Sequence, residues 1–146
     1  MTAADRTRSD VATRIRMTAG SLTRRLRGEA SGVTGLTWSQ ESIVALLSRA
    51  PAGMSTAELA RAEGVRGQTM SAAVAVLEQA GFLRGEPDPS DGRRTVLHVT
   101  DTGLAALTEA RAVKQKWLEE LLQDFTADEI DALVAGMDLL NRIAGS

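Results

Sequence analysis

The sequence of 146 residues has no cysteine and a single histidine, His98. Without cysteine the chain can have no disulfide, no thiolate metal site and no thiol redox sensor. One histidine excludes a metal cluster built from histidines, and it leaves no complete set of nucleophile, histidine and acid. A glycine loop of the type that cradles phosphate is also missing. We therefore expect no enzymatic activity, no bound metal and no cofactor.

Long apolar runs are missing as well, although 43% of the residues are hydrophobic, which is ordinary for a globular chain. The longest runs contain only a few residues and are too short for a helix that crosses a membrane. The N-terminal residues 1–6 lack the apolar region of a secretory signal. Together these features predict a soluble, cytoplasmic protein that does not associate with a membrane.

The chain also lacks the excess of positive charge that is typical of nucleic-acid-binding proteins, since its net charge is −2. The charge is unevenly distributed, however. Residues 1–30 hold seven arginines and three acids, a net charge of +4, whereas residues 31–100 carry −1 and residues 101–146 carry −5. Any attraction to DNA phosphate must therefore come from a few local arginines rather than from the whole surface.

A helix-turn-helix is predicted in the middle of the chain. Ser55 and Glu58 have the spacing of a capping box, which starts a short helix, and Gly64 supplies the left-handed residue that ends it. A second helical run begins near Gly67 and ends at Gly81, with its apolar residues at helical spacing. Two short helices joined in this way leave the second one able to enter a DNA major groove.

A β-hairpin follows the second helix directly. Residues 82–84 begin one strand, the turn-rich residues 87–94 form the tip, and the β-branched residues 95–99 form the return strand. Met54 is expected to pair briefly with this hairpin as a third strand. A helix-turn-helix that continues into such a hairpin is a winged helix.

Amphipathic helices flank the winged helix on both sides. They are predicted for residues 9–29, after a capping box at Thr37, for residues 101–124 and after a capping box at Thr126. The apolar stripes of the first helix and of the last two stay exposed unless a second copy buries them. The arginines of the first helix form either part of that interface or a solvated face.

The predicted fold is mainly α with a small β-wing (α+β), a winged helix-turn-helix plus a helical dimerisation lobe from both chain ends. Three domains are expected. An N-terminal dimerisation helix lies in residues 1–33, a winged helix-turn-helix DNA-binding domain in residues 34–100, and C-terminal dimerisation helices in residues 101–146.

The hairpin region resembles the MarR family of bacterial transcription regulators. The matching segments are Leu59-Ala60 and residues 77–83, 88–94 and 99–103, and the most specific part is Asp-x-Arg in the wing followed by Thr-x-x-Gly. The resemblance extends over nearly the whole chain. It implies a homodimer that binds a pseudo-palindromic operator in double-stranded DNA, most often as a repressor, and that responds to a small-molecule effector.

The candidate DNA-binding residues are Ser55, Thr56, Arg66, Gln68, Thr69, Ser71, Arg93 and Arg94. Gln68 can pair with adenine, Arg66 with guanine or phosphate, and Thr69 can present its methyl group to thymine. Ser71 suits a phosphate, as do the first two residues of the short helix, because amides at a helix N-terminus attract anions. Capping alone is the alternative role for Ser55.

The wing tip is expected to insert Arg93 into a minor groove, with Arg94 on sugar or phosphate. Asp91 would brace either the guanidinium of Arg93 or the backbone of the turn, and the alternative is a pair that only stabilises the hairpin. The second helix has Ala72 and Val76 where family members often carry a basic residue, so the wing is expected to supply much of the affinity. The scarcity of basic residues in this helix also favours a different class of function, a winged-helix protein-interaction module that has lost DNA binding.

The resemblance also implies a ligand site between the dimerisation lobe and the winged helix. The candidate lining residues are Met17, Trp38 and Ile43, for each of which core packing is the alternative. His98 is either a pH-sensitive group or an ordinary residue of an exposed strand.

Overall fold

A computed structural model describes residues 7–31 and 33–145 of the chain. The elements found there are α1 (Arg8–Ser31), α2 (Trp38–Ser48), α3 (Thr56–Glu63), α4 (Gly67–Gln79), β1 (Leu83–Pro87), β2 (Thr95–Val99), α5 (Asp101–Leu122) and α6 (Ala127–Ala144). The sequence prediction of a mainly helical fold with a small β-wing is confirmed.

The chain divides into two compact units, Met1–Val113 and Lys114–Ser146. The first unit contains α1 to α4, the two strands and the first half of α5, and the second contains the remainder of α5 with α6. The domain boundaries expected after residues 33 and 100 stay a prediction. None of the helices in the described ranges combines the length and the apolar character that a membrane crossing requires.

The core of the first unit is formed by α2, α3, α4, both strands and the start of α5. Its largest fully buried side chains are Leu36, Ile43, Val44, Leu59, Met70, Leu77 and Leu97. The capping box predicted at the start of α2 is present, because Thr37 Oγ1 accepts the Gln40 N–H at 3.3 Å and the Gln40 side chain accepts the Thr37 N–H at 2.9 Å. Because α3 and α4 both contribute side chains to this core, the two helices of the helix-turn-helix pack on one hydrophobic core.

The ends of α3 and α4 follow the sequence pattern closely. Gly64 has a left-handed backbone, with φ of 66°, and ends α3. At the end of α4 Gly81 has φ of 78°, and the Phe82 N–H donates to the Leu77 carbonyl at 2.9 Å. Glycine adopts this conformation without the steric cost that a Cβ would add. Both helix ends are therefore set by local residues.

The wing is an antiparallel pair of strands, in register from Leu83 opposite Val99 to Pro87 opposite Thr95. Met54 adds an isolated bridge to Leu97, as predicted. The first strand begins at Leu83 rather than at residue 82, and it extends through Pro87, which the sequence analysis placed in the tip. Proline is tolerated here because it occupies the last pair of a two-stranded ladder, where it interrupts no further pairing.

The start of α5 explains the Thr-x-x-Gly motif. Thr100 Oγ1 accepts the Gly103 N–H at 3.1 Å and donates to the Gly81 carbonyl at 2.5 Å. Gly103 is buried, and a Cβ at this position would overlap the Phe82 carbonyl and the Val99 side chain. The motif therefore supplies a helix cap and the space for α5 to approach the end of α4.

Three helix ends differ slightly from the sequence prediction, and one of them is the end of α1, at Ser31 rather than at residue 29. α1 begins at Arg8 because Thr7 Oγ1 accepts the Asp10 N–H at 3.2 Å. α5 ends at Leu122, two residues early, since the chain turns there to reach the capping box of α6. In that box Thr126 Oγ1 accepts a backbone N–H from the third residue of α6, as predicted.

Candidate nucleic-acid interface

The outward face of α4 is small and uncharged. Met70, Val74 and Leu77 are buried against the core. At 100° per residue, the opposite face consists of residues 68, 72, 75 and 79, and all four are exposed glutamines or alanines. Glu78 is the only charged residue within α4. A partner that faces this side of α4 would therefore meet amide and methyl groups rather than cations.

The N-terminus of α4 is open to solvent. Arg66 is the N-cap residue, with an extended backbone and no hydrogen bond from its side chain to the helix. The candidate contacts Arg66, Gln68, Thr69 and Ser71 are all exposed and lie on the first turns of the helix. The structure therefore brings these four residues together at one end of α4, where backbone amides add a positive end to the helix dipole.

The N-terminus of α3 is arranged differently. Ser55 is only 9% exposed, and its Oγ accepts the Glu58 N–H at 3.2 Å. The Ser55 N–H and hydroxyl both donate to Glu58 Oε2, at 2.8 and 3.1 Å. Thr56 beside it is half-buried. The hydroxyl of Ser55 thus serves the capping box that the sequence indicated, and its contact with phosphate stays a prediction.

The tip of the wing is a closed loop held by its own backbone and short side chains. The Asp88 N–H donates to the Arg94 carbonyl at 2.8 Å, and the Arg94 N–H donates to the Asp91 carbonyl at 3.0 Å. Asp88 Oδ1 accepts the N–H and the hydroxyl of Ser90, and these two bonds lower the pKa of the Asp88 carboxyl. Asp91 Oδ1 accepts the Arg93 N–H at 3.1 Å, so the observed brace acts on the backbone of the turn.

The two arginines at the tip have different surroundings. Arg93 is exposed, and among the described residues its guanidinium has no hydrogen bond or ion pair. Arg94 Nη2 instead lies 2.6 Å from Glu58 Oε2, and Nη1 lies 3.7 Å from Asp88 Oδ2. The hydrogen bond with Glu58 is the main reason why the pKa of Arg94 is raised. Arg93 is therefore the tip cation available to an external partner.

Sequence reasoning missed the contact between Glu58 and Arg94. The Ser55 amide, and then the Arg94 guanidinium, lower the pKa of Glu58 from 4.5 to about 2. The capping role of Glu58 is visible in the sequence, because its partner is three residues away. Arg94 lies far along the chain, and only the folded hairpin returns it to the start of α3.

A second group of charges on the wing was also not predicted. Arg84 and Glu86 form an ion pair on β1, and Glu86 Oε2 lies 3.7 Å from Nε2 of His98 on β2. His98 is half-buried, and its register position opposite Arg84 explains the proximity. This cluster is separate from the tip arginines.

The three candidate ligand-binding residues have unlike environments. Ile43 is 2% exposed and belongs to the core, which was its alternative role. Trp38 is 36% exposed, and the Arg27 guanidinium lies 5.1 Å from the centre of its ring. Met17 is 61% exposed and borders an open depression of about 270 Å³ along α1. A ligand site at these residues stays a prediction.

Two helices joined by a tight turn, an exposed second helix and a hairpin that carries an exposed arginine define a winged helix-turn-helix protein. Residues 34–94 match the model of the MarR family. This match, together with the relatives and structures below, confirms for the winged-helix region the resemblance noted from the sequence.

The comparisons extend from this region to the rest of the chain. An uncharacterised HTH-type transcriptional regulator of Mycobacterium leprae is 36% identical over 87 residues, which span 60% of this chain and 61% of the relative. A Pseudomonas aeruginosa PA01 protein of known structure has 28% identity and a TM-score of 0.81, with 95% of this chain and 98% of that chain covered. A crystal structure of MarR has 28% identity and a TM-score of 0.70, with 89% and 96% covered. The curated relative is named as a regulator and not as an enzyme, as the sequence led us to expect.

Proposed function

We propose that this protein is a homodimeric, sequence-specific DNA-binding transcriptional regulator of MarR type, acting in the cytoplasm as a repressor. The observation that carries the proposal is an exposed Arg93 at the wing tip of a MarR-family winged helix whose α4 N-terminus is also exposed. The M. leprae relative, named as an HTH-type transcriptional regulator, supports the same reading.

The exposed groups suit two grooves of one duplex. α4 would enter the major groove with Gln68 and Thr69 toward base edges and with Arg66 and Ser71 toward guanine or phosphate. Arg93 would enter the adjacent minor groove, where a narrow A·T-rich segment concentrates negative potential. Because the outward face of α4 is uncharged, sequence readout would depend on amide and methyl contacts, and charge attraction would depend on the wing.

A second copy would complete the DNA-reading unit. Every residue of α6 is at least partly exposed in the single chain, and this includes large apolar side chains. Exposed apolar stripes of this extent are characteristic of surfaces buried in assembly. A twofold dimer would place two copies of α4 about one helical turn of DNA apart, and the operator would share that symmetry.

A small-molecule effector would act by favouring one spacing of the two α4 helices over another. Such coupling needs a site whose shape differs between the two states of the dimer. Trp38 and Met17 are the candidates whose side chains are accessible, and the stacked Arg27 beside Trp38 would suit an anionic ligand. Binding of the effector would thus release the protein from DNA.

Selection of bound sequences from random duplexes tests the proposal most directly. We expect an enriched pseudo-palindrome with half-sites about 10 base pairs apart, bound with an affinity that falls as salt rises. The absence of any enrichment at low salt would reject a DNA-binding function.

A second candidate function is a protein-interaction module on the same fold. It is favoured by the outward face of α4, which carries no cation, and by the involvement of Arg94 in ion pairs within the wing. Binding to duplex DNA that is insensitive to salt, or absent, would favour this candidate over the regulator.

A further inference from the structure

The guanidinium of Arg94 lies between two carboxylates of its own domain. Glu58, on the first turn of α3, is 2.6 Å away, and Asp88, at the end of the wing strand, is 3.7 Å away. The same oxygen of Glu58 also accepts two hydrogen bonds from Ser55. One carboxylate therefore joins the cap of α3 to the tip of the wing.

The backbone of Arg94, like its side chain, is bonded to neighbouring groups. Its carbonyl accepts the Asp88 N–H, and its own N–H donates to the Asp91 carbonyl, so that residue 94 closes the loop at both ends. Arg93 precedes it directly and has its own N–H bonded to Asp91. Fixing Arg94 to α3 thus fixes the place from which Arg93 leaves the hairpin.

We infer that Arg94 and Glu58 form a positioning pair that holds the wing tip against α3 and presents Arg93 to DNA. The inference rests on the proposed function and revises the role expected for Arg94, which was a contact with sugar or phosphate. With two carboxylates beside it, Arg94 adds little net positive charge at the tip. Arg93 alone then supplies the cation that the wing contributes to DNA.

The two alternative roles of Arg94 predict opposite effects on DNA binding when the charge of Glu58 is removed. If Arg94 contacts phosphate, Glu58→Gln releases it and removes a negative charge near DNA, so binding should tighten. If Arg94 is a positioning residue, the same substitution loosens the tip and binding should weaken. Glutamine is also accepted at the third position of a capping box, so α3 keeps its cap in this variant.

The experiment is a duplex-binding titration at several salt concentrations, with a sequence obtained from the selection described above. We expect Glu58→Gln and Arg94→Ala each to weaken binding roughly two- to tenfold, and the double variant to be no weaker than either single one. Glu78→Gln is the matched control, because it removes the same charge from α4 and Glu78 is not a partner of Arg94, so it should not weaken binding.

Two further variants, Arg93→Ala alone and combined with Glu58→Gln, separate positioning from general damage to the domain. In an Arg93→Ala background, Glu58→Gln should have no further effect on binding, because the pair acts through Arg93. Arg93→Ala should lower the salt slope by about one unit, whereas Arg94→Ala should leave the slope unchanged. Tighter binding by Glu58→Gln, a lower slope in Arg94→Ala, or a full Glu58→Gln effect in the Arg93→Ala background would each overturn the inference.

Amide hydrogen exchange of the protein alone provides a readout that does not depend on DNA. The N–H groups of Arg93 and Arg94 should exchange faster in Glu58→Gln than in wild type or Glu78→Gln. If wild type binds no duplex, the proposed function fails and with it the role toward DNA, while faster exchange still supports a link between Glu58 and the tip. Unchanged exchange would overturn the link itself.

Discussion

At the scale of single residues, each side chain near the wing has a role set by its immediate neighbours. Adjacent arginines differ because Arg94 has two carboxylates within 4 Å, while Arg93 has none among the residues that the structure describes. Gly103 is fixed by the lack of space at the start of α5. Small changes at these positions should therefore have distinct and measurable effects.

Gly103→Ala should destabilise the protein by about 1–3 kcal/mol, because the added methyl group overlaps the Phe82 carbonyl and the backbone must shift to accommodate it. Chemical denaturation measures the change in free energy of unfolding. Gly28→Ala is the control, since a Cβ there meets nothing within 4 Å and alanine favours a helix. Equal effects of the two substitutions would contradict the crowding described at Gly103.

Glu58 should make stability depend on pH in the acidic range. Its pKa is lowered from 4.5 to about 2 on folding, so its contribution is fully present above pH 4.5 and is lost as the pH falls toward 2. The stability difference between wild type and Glu58→Gln should therefore be constant near neutral pH and shrink as the pH falls below 4.5. Denaturation curves at a series of pH values measure it, and a difference that persists undiminished to pH 2.5 would contradict the assignment.

At the scale of elements, local signals were sufficient to predict most of the fold. Three capping boxes, two left-handed glycines and the hairpin turn depend on residues within a few positions of each other, so they can be recognised in the sequence. The extension of β1 through Pro87 was missed because proline usually interrupts a ladder. The link between Glu58 and Arg94 was missed because it joins two elements that only the tertiary fold brings together.

Val76→Arg should strengthen binding to duplex DNA of any sequence and steepen the salt dependence by about one unit. Val76 is 53% exposed on the flank of α4, so an arginine there can reach a phosphate without disturbing the core. Fluorescence anisotropy at several salt concentrations measures both effects. Val65→Arg, at another exposed valine before α4, is a comparison that adds the same charge. An unchanged slope for Val76→Arg would show that α4 does not approach the duplex.

At the scale of the whole molecule, the single chain leaves large apolar side chains exposed to solvent. The large apolar side chains of α6 that are 41–59% exposed are Leu133, Val134, Met137, Leu139, Leu140 and Ile143. The helix has the spacing of an amphipathic element, but its apolar face contains no buried residue. A homodimer through the terminal helices remains the prediction that accounts for this face.

Met137→Glu should convert a dimer into a monomer and, with it, reduce operator affinity at least tenfold, because both copies of α4 are needed for two half-sites. Light scattering after size-exclusion chromatography measures the mass. Ala135→Glu places the same charge on the side of α6 opposite Met137, where the closest in direction of the exposed apolar residues named above is Leu139, and it should preserve the dimer. A wild-type protein that stays monomeric at micromolar concentration would contradict the predicted assembly.

The bonds made by Thr100 restrict where this protein can bend. Its hydroxyl joins the last turn before β1 to the first turn of α5, and Ala106, Leu107 and Ala110 then anchor that helix in the core. We expect the first three turns of α5 to move together with the turn that ends α4, because Thr100 is bonded to both. We therefore expect any bend of α5 to occur beyond Ala110, because the buried residues of this helix all lie at or before that position.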